Sequence, residues 1–122
     1  QFITRSNTNS DVLTQVEKAI HEYYDKKKLL ESGIPTSEYL AGQVNYSTNY
    51  LSDLLKKETG RSIKDHVDSH VIELAKTSLL NTKDSVSEIA YDLGFNYPHY
   101  FSRMFKNKIG ETPQQYRSKQ LN

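Results

Sequence analysis

The sequence predicts an all-α fold in which a connecting helix joins two helix-turn-helix units. Three observations support this prediction. Apolar residues recur at helical spacing along most of the 122 residues. No stretch has the Val/Ile/Tyr-rich alternation that a β-hairpin needs. The chain also repeats itself once, with a register of about 50 residues, which indicates a duplicated unit and not a solenoid of three or more copies.

The N-terminal region predicts an arm followed by a helix. Residues 1–10 are rich in Asn, Ser and Thr, and we expect them to form a linker or disordered arm. Ser10 is a suitable N-cap, and apolar residues follow it at helical spacing. We expect this helix to run to about Leu30 and to stop near Gly33, within a domain that covers residues 11–122.

The two helix-turn-helix units are related by the internal repeat. Residues 39–66 align with residues 88–116 with a single one-residue gap, and Tyr50 then matches Tyr100. The matched apolar positions are Leu40 with Ile89, Val44 with Leu93, Leu51 with Phe101, Leu54 with Met104, and Leu55 with Phe105. The same apolar pattern twice predicts the same packing twice.

Helix-start and turn residues place the two units at about residues 36–60 and 85–110. In the second unit, Ser85 followed three residues later by Glu88 predicts a capping box at the start of the first helix. Gly94 lies where a left-handed residue would end that helix. Each unit therefore reads as helix, tight turn, helix.

The second helix of each unit has its own boundary signals. Pro98 suits the first turn of the later helix, because its fixed φ is already helical. Ser47 can cap the matching helix of the first unit, after Asn45, which tolerates positive φ. Gly60 and Gly110 are expected to end the two helices.

A connecting helix is predicted between the units, over about residues 62–80. Nineteen residues at ~1.5 Å each give a rod of roughly 28 Å. This length is close to the ~34 Å between successive turns of the major groove on one face of B-DNA.

The second helix of each unit has a polar and an apolar face. In the later unit the polar sector contains His99, Ser102, Arg103 and Lys106. In the first unit it contains Asn49, Ser52, Asp53 and Lys56. Any amphipathic surface helix has a polar face. Here the helices are short and follow a tight turn, and the exposed side chains can hydrogen-bond to base edges. The arrangement also occurs twice, which favours DNA recognition.

Two stretches carry a family resemblance. The C-terminal signature of the AraC/XylS family of bacterial transcription regulators is similar to SVSEIAYDLGFNYPHYFSRMFKNKIGETPQQYR (residues 85–117). The first helix-turn-helix of the same domain is similar to YLSDLLKKETGRS (residues 50–62). The resemblance covers about residues 36–118. It implies a domain of about seven helices whose two helix-turn-helix units read adjacent major grooves of double-stranded DNA.

The resemblance also implies site residues, by position. The base-reading candidates are Asn49, Ser52 and Asp53 in the first recognition helix, and Pro98, His99, Ser102 and Arg103 in the second. The candidates for phosphate contact are Ser47, Thr48, Lys56 and Lys106. No cofactor and no metal are expected. RNA polymerase is a further candidate partner, and we expect the fragment to be monomeric, with sensing and any dimerisation in a separate domain.

Three positions depart from the family pattern, and one of them is Ile63, which stands where a proline is usual. Family members commonly carry a basic or amide residue where Asp53 stands. This carboxylate either accepts a hydrogen bond from a cytosine amino group or pairs with Lys56 or Lys57, and we favour the pairing. Tyr97 replaces the small polar residue common before the proline, so we expect the second recognition helix to start less cleanly.

Composition bounds the class of protein. The net charge is +1, but residues 95–122 carry five basic side chains against Glu111 alone, which favours a polyanion partner. Cysteine is absent, which excludes disulfides and thiolate metal sites and fits a cytoplasmic protein. No apolar run is long enough to span a bilayer, and no signal peptide is recognisable. Because the chain begins with Gln, we expect a fragment of a longer protein.

Other functions are less well supported. His66 and His70 are four residues apart, as two zinc ligands would be, but the intervening residues lack the usual glutamate and no third ligand is evident. Ser102 and His99 are close on a surface helix but have no oxyanion hole, so an enzyme is not predicted. The stronger alternative is a helical protein-interaction module that has kept the fold and lost DNA binding.

Overall fold

The structure of the protein is a computed structural model that describes residues 5–26 and 33–121. These residues form seven α-helices and no strand. In chain order they are α1 (Arg5–Asp25), α2 (Ser37–Gln43), α3 (Thr48–Thr59), α4 (Ile63–Asn81), α5 (Val86–Asp92), α6 (Pro98–Ile109) and α7 (Pro113–Leu121). The predicted all-α class is confirmed. In the described part of the chain, no helix combines the length and the apolar character that crossing a membrane requires.

The chain divides into two compact units. The first contains α1, α2, α3 and the beginning of α4 up to Val67. The second contains the remainder of α4 from Asp68, together with α5, α6 and α7. Each unit thus holds one helix-turn-helix, α2–α3 or α5–α6, and one further helix that packs against it.

Helix α1 begins earlier than the sequence predicts. The expected arm over residues 1–10 is wrong for residues 5–10, which belong to the helix, and Ser10 is therefore not its N-cap. Ser, Asn and Thr cost only tenths of a kcal/mol each in a helix relative to Ala. Burial of the apolar face downstream can outweigh that cost. The described helix ends at Asp25, and the predicted extension to Leu30 lies outside the described residues.

The first unit is held together by the apolar face of α1. Val12, Val16 and Ile20 are each no more than 3% exposed. Helix α1 packs against both α2 and α3, which also pack against each other. Fully burying an aliphatic side chain of this size contributes about 1.5–3 kcal/mol. Helix α1 therefore stabilises the helix-turn-helix, and it lies outside the region that the family resemblance covers.

Burial follows the internal repeat position by position. Within α3 and α6 the same places along the helix are buried, half-buried and exposed. Leu51 and Leu55 are buried at the positions that Phe101 and Phe105 occupy in the second unit. The duplication inferred from the sequence is therefore a duplication of packing.

The turn and helix-end residues adopt the predicted conformations. Asn45 has φ of 63° and Gly94 has φ of 101°, each in the turn between the two helices of its unit. Gly60 and Gly110 end α3 and α6 with φ of 74° and 95°. Left-handed backbone is strained for most residues, which explains glycine or asparagine at these places.

Gly94 has a second reason to lack a side chain. A Cβ atom there would lie 3.0 Å from the carbonyl carbon of Gly33 and 3.0 Å from the amide nitrogen of Ile34. Nothing lies within 4 Å of the corresponding point at Gly110. Residues 33 and 34, which belong to the second unit, thus lie close to the turn of its helix-turn-helix.

The capping box predicted at the start of α5 is present. The amide of Glu88 donates to the Ser85 hydroxyl at 3.0 Å, and the amide of Ser85 donates to the Glu88 carboxylate at 2.8 Å. The hydrogen bond from the Ser85 amide is the main cause that lowers the pKa of Glu88. The box satisfies two amides that a helix start otherwise leaves without partners.

Alanine substitutions should separate the two demands on Gly94. Gly110→Ala should lose stability only through the strain of left-handed backbone, which costs about 1–2 kcal/mol. Gly94→Ala adds the same strain and also places a Cβ atom 3.0 Å from the backbone of Gly33 and Ile34, which must then shift, so its loss of unfolding free energy should be larger. Urea denaturation of both variants measures the difference, and equal losses would show that the close approach has no energetic weight.

Candidate nucleic-acid interface

Helix α3 begins with the predicted serine cap. The Oγ atom of Ser47 accepts a hydrogen bond from the amide of Tyr50 at 3.1 Å. This bond satisfies one of the amides at the helix start and leaves the hydroxyl proton of Ser47 free to be donated elsewhere. Thr48, the first residue of the helix, is half-buried beside it. Both of these predicted phosphate-contact residues therefore lie at the N-terminal end of α3.

The outward face of α3 contains the predicted residues of the first unit. Asn49, Asp53 and Lys56 are exposed, and Ser52 is half-buried at the edge of this face. The apolar residues Leu51 and Leu55 point the other way, into the core. The predicted orientation of this helix is confirmed.

The favoured ion pair of Asp53 is not formed. In the part of the chain that the structure describes, its carboxylate pairs with neither Lys56 nor Lys57. Exposed pairs on one helix stabilise by only tenths of a kcal/mol, which the loss of side-chain freedom readily cancels. Both lysines also lie in the last turn, where the helix dipole favours positive charge. The carboxylate of Asp53 is therefore left on the outward face.

Helix α6 presents a more basic face at the same positions. His99, Arg103 and Lys106 are exposed, while Pro98 and Ser102 are half-buried. Arg103 occupies the place that Asp53 occupies in α3. The faces thus share a scaffold but differ in charge: arginine and lysine stand on one, aspartate and lysine on the other.

The start of α6 lacks a side-chain cap, as Tyr97 in this position predicted. Tyr97 has extended backbone, but its side chain makes no capping hydrogen bond. Pro98 follows at the first helical position, where its missing N–H is not needed. The amide of Tyr100 donates to the carbonyl of Tyr97 at 3.0 Å, so the amide of His99 is the exposed donor that the first turn of α6 keeps for an outside acceptor.

Sequence reasoning missed the exposed tyrosines beside these faces. Tyr50, Tyr97 and Tyr100 are 54%, 57% and 52% exposed, and all three lie at the N-terminal ends of α3 and α6. Tyr50 and Tyr100 are matched in the repeat. Because other residues already occupy the inward positions of both helices, this match could have indicated that the two tyrosines are exposed.

Two C-terminal basic residues have partners within the chain. Arg117 of α7 donates from Nε to the carbonyl of Leu79 at 2.9 Å and from a terminal nitrogen to the carbonyl of Thr82 at 3.3 Å. It therefore caps the C-terminal end of α4. Lys119 Nζ lies 4.0 Å from a carboxylate oxygen of Glu111. The local excess of positive charge noted in the sequence is thus only partly displayed on α6.

His66, which aligns with Tyr116 in the repeat, is a buried residue. It is 7% exposed, and its Nε2 atom lies 3.1 Å from Oγ1 of Thr59. That hydroxyl donates to the carbonyl of Leu55 at 2.7 Å and accepts from the amide of Arg61 at 3.1 Å. Its remaining lone pair requires Nε2 of the neutral ring to be the donor. The contact ties the end of α3 to α4.

The described residues contain no group of three or more His, Cys, Asp or Glu side chains placed to hold a metal ion. His66, one of the two histidines with zinc-like spacing, uses its Nε2 atom on Thr59.

Comparison with known proteins places these features in a family. A sequence profile described as a helix-turn-helix domain matches residues 40–119. The Msm operon regulatory protein of Streptococcus mutans is 29% identical over 116 residues, which are 94% of this chain and 39% of that protein. The chain thus spans less than half the length of this relative.

Two solved structures have the same fold. The C-terminal domain of the two-component response regulator YesN from Fusobacterium nucleatum matches with a TM-score of 0.74 and 31% identity, over 88% of this chain and 98% of that one. The DNA-binding domain of the global transcriptional factor AdpA, solved in complex with a target DNA, matches with a TM-score of 0.68 over 90% of this chain and 89% of that one. At 20% identity the second likeness shows the fold alone.

The burial of His66 predicts a pH-dependent stability. Burial, and to a lesser extent the charge of Arg61, lower the pKa of His66, while Glu17 and Asp65 oppose this with smaller effects. The unfolded chain then binds a proton more readily than the folded protein. The contribution of His66 to the free energy of unfolding should be complete above about pH 6.5 and should fall as the pH is lowered towards the folded-state pKa.

Urea denaturation at a series of pH values between about 7.5 and 5.5 checks this expectation. His66→Gln keeps a donor for Thr59 but does not titrate, so this variant should lose less stability than the wild type as the pH falls. His99→Gln, on the exposed face of α6, is the matched control and should keep the wild-type slope. An unchanged slope in His66→Gln would contradict the assignment.

Proposed function

This chain belongs to the AraC-type family of helix-turn-helix domains, and on that premise we propose that it is the sequence-specific DNA-binding domain of a bacterial transcription regulator. One structural observation carries the proposal. Two helix-turn-helix units with the same burial pattern each direct a short helix of hydrogen-bonding side chains outward. Such a helix fits the major groove, where each base pair displays its own pattern of donors and acceptors.

We propose that α3 and α6 are the recognition helices and that one chain contacts two half-sites about 10 base pairs apart. The residues proposed to contact bases are Asn49, Ser52 and Asp53 of α3, and Pro98, His99, Ser102 and Arg103 of α6. Because the chain supplies two different helices and not two copies of one, the DNA site should be asymmetric.

Asp53 and Arg103 are proposed to read opposite features of the groove. The guanidinium of Arg103 can donate two hydrogen bonds to O6 and N7 of one guanine. The carboxylate of Asp53, which pairs with neither Lys56 nor Lys57, can only accept, and the cytosine amino group is the matching donor. A carboxylate that enters the groove without finding a donor loses its hydration for no new hydrogen bond, so Asp53 also disfavours sequences that offer it none.

Contacts to the DNA backbone are proposed at the ends of the recognition helices. Ser47 and Thr48 lie at the start of α3, where amides and the helix dipole attract a phosphate. Lys56 and Lys106 lie at matching positions in the last turns of α3 and α6. Such contacts set orientation and affinity without reading sequence.

Partners of the whole regulator are also proposals. The relative from Streptococcus mutans is named as an operon regulatory protein, and this chain covers only part of its length. We propose contact with RNA polymerase at the promoter, a monomeric fragment, and dimerisation through another domain.

A cytoplasmic location follows from the function, because a bacterial regulator acts on the chromosome. An interaction module without DNA binding is not favoured, since the outward face of α6 keeps Arg103 and Lys106.

The first test of this function is the salt dependence of DNA binding. The wild-type chain should bind mixed-sequence duplex DNA at low salt, with an affinity that falls as counterions compete. Lys106→Ala should weaken binding to all sequences alike and reduce the log–log salt slope by about one unit. Lys76→Ala removes a lysine whose amino group pairs with Glu73 at 3.3 Å and should change the slope little. Absence of binding at low salt would exclude the proposed function.

Arg103→Ala tests base reading separately from phosphate binding. A bidentate contact to guanine contributes about 1–3 kcal/mol of discrimination. The variant should therefore lose preference at one or two adjacent base pairs while keeping most of its affinity for random DNA. Sites selected from a random pool by the two proteins reveal the change. Equal weakening on selected and random DNA would mean that Arg103 holds a phosphate.

A further inference from the structure

Exposed aromatic side chains are concentrated at the starts of the two recognition helices. Among the described residues, five large hydrophobic side chains are exposed, and three of these are Tyr50, Tyr97 and Tyr100. An exposed apolar side chain on its own is ordinary. Three of them, confined to the first turns of α3 and α6, require a separate explanation.

These rings form small ordered surfaces. Around the start of α6, the ring centres of His99 and Tyr100 are 4.3 Å apart, and those of Tyr97 and Tyr100 are 5.7 Å apart in an edge-on arrangement. In the first unit, Tyr50 contacts Tyr46 with ring centres 5.1 Å apart. The contacts restrict the rings while more than half of Tyr50 and of Tyr100 stays accessible. A restricted ring loses little further freedom when it binds a ligand.

The rings are continuous with the faces proposed to read bases. Tyr100 follows His99 directly and precedes Arg103 by one helical turn. The repeat puts Tyr50 at the same place, one turn before Asp53. A duplex that brings its bases to Arg103 or Asp53 therefore also brings them near a tyrosine ring.

We infer that the exposed rings of Tyr100 and Tyr50 bind thymine, through its C5-methyl group, in the major groove. This inference rests on the proposed DNA binding. The methyl group is the apolar feature that the major-groove edges of the bases display, and it distinguishes thymine from the other three bases. Aspartate and serine on the same faces offer it little apolar surface, whereas a tyrosine ring offers an extended one. Removing one buried methyl should weaken binding by about fourfold.

The experiment replaces single thymines by uracil, which differs from thymine by this methyl alone. A site is first selected from a random pool with the wild-type chain. Each thymine in that site is then replaced in turn, and dissociation constants are measured by fluorescence anisotropy at one salt concentration. One or two replacements should weaken wild-type binding by about fourfold. Tyr100→Ala should abolish this effect at one position, and Tyr50→Ala should abolish it at another.

Two further variants serve as controls. Tyr91→Ala removes a tyrosine of equal exposure, 55%, that lies on α5 and not on a recognition helix, so the sensitivity to uracil should persist. Tyr100→Phe keeps the ring without the hydroxyl and should also preserve it. Circular dichroism and thermal melting confirm that each variant is folded.

Several results would overturn the inference. The first is a selected site in which no replacement of thymine by uracil weakens binding. The second is a sensitivity to uracil that Tyr100→Ala and Tyr50→Ala leave unchanged. The third is loss of that sensitivity in Tyr100→Phe, which would assign the contact to the hydroxyl. Each of them leaves DNA binding intact. Failure of the proposed function is recognised differently, because the wild-type chain would then bind no duplex at low salt.

Discussion

Burial of two apolar side chains one helical turn apart fixes the outward face of each recognition helix. Leu51 and Leu55 are buried in the first unit, and Phe101 and Phe105 are buried in the second. Because a helix repeats every 3.6 residues, holding two such positions in the core leaves no freedom to rotate about the axis. The proposed base contacts depend on this constraint, because positions two residues away from the buried pair, such as Asp53 and Arg103, then face solvent.

The same scaffold supports two chemically different surfaces. The turns, helix ends and inward positions of the two units match, whereas the outward residues at the centre of each face, Asp53 and Arg103, have opposite charge. Packing tolerates this divergence because exposed substitutions usually change stability by no more than about 0.5 kcal/mol. A duplicated domain of this kind can therefore read two unlike half-sites with one chain, without the symmetry that a homodimer imposes on its DNA.

Local interactions could be predicted from the sequence, and long-range or weak ones could not. The capping box, the left-handed turn residues and the inward faces depend on residues within one helical turn of each other, which is why their patterns were readable. The role of Arg117 could not be read, because its partner Leu79 is 38 residues away. The early start of α1 and the absent ion pair of Asp53 each depend on free-energy differences of only tenths of a kcal/mol. Helix propensity and charge spacing do not predict the outcome at that scale.

The start of α6 shows how a surface proposed to bind DNA differs from one chosen for folding alone. A serine such as Ser47 would contribute about 1 kcal/mol as an N-cap, yet Tyr97 stands in that position and makes no capping bond. Other local features offset the loss: Pro98 holds the first turn in helical conformation, and the capping box of Ser85 stabilises the preceding helix. The uncapped turn leaves the amide of His99 as a donor and places the ring of Tyr97 beside His99 and Tyr100. Local rules of folding are most often broken where a surface has another purpose, and the first turn of α6 is such a place.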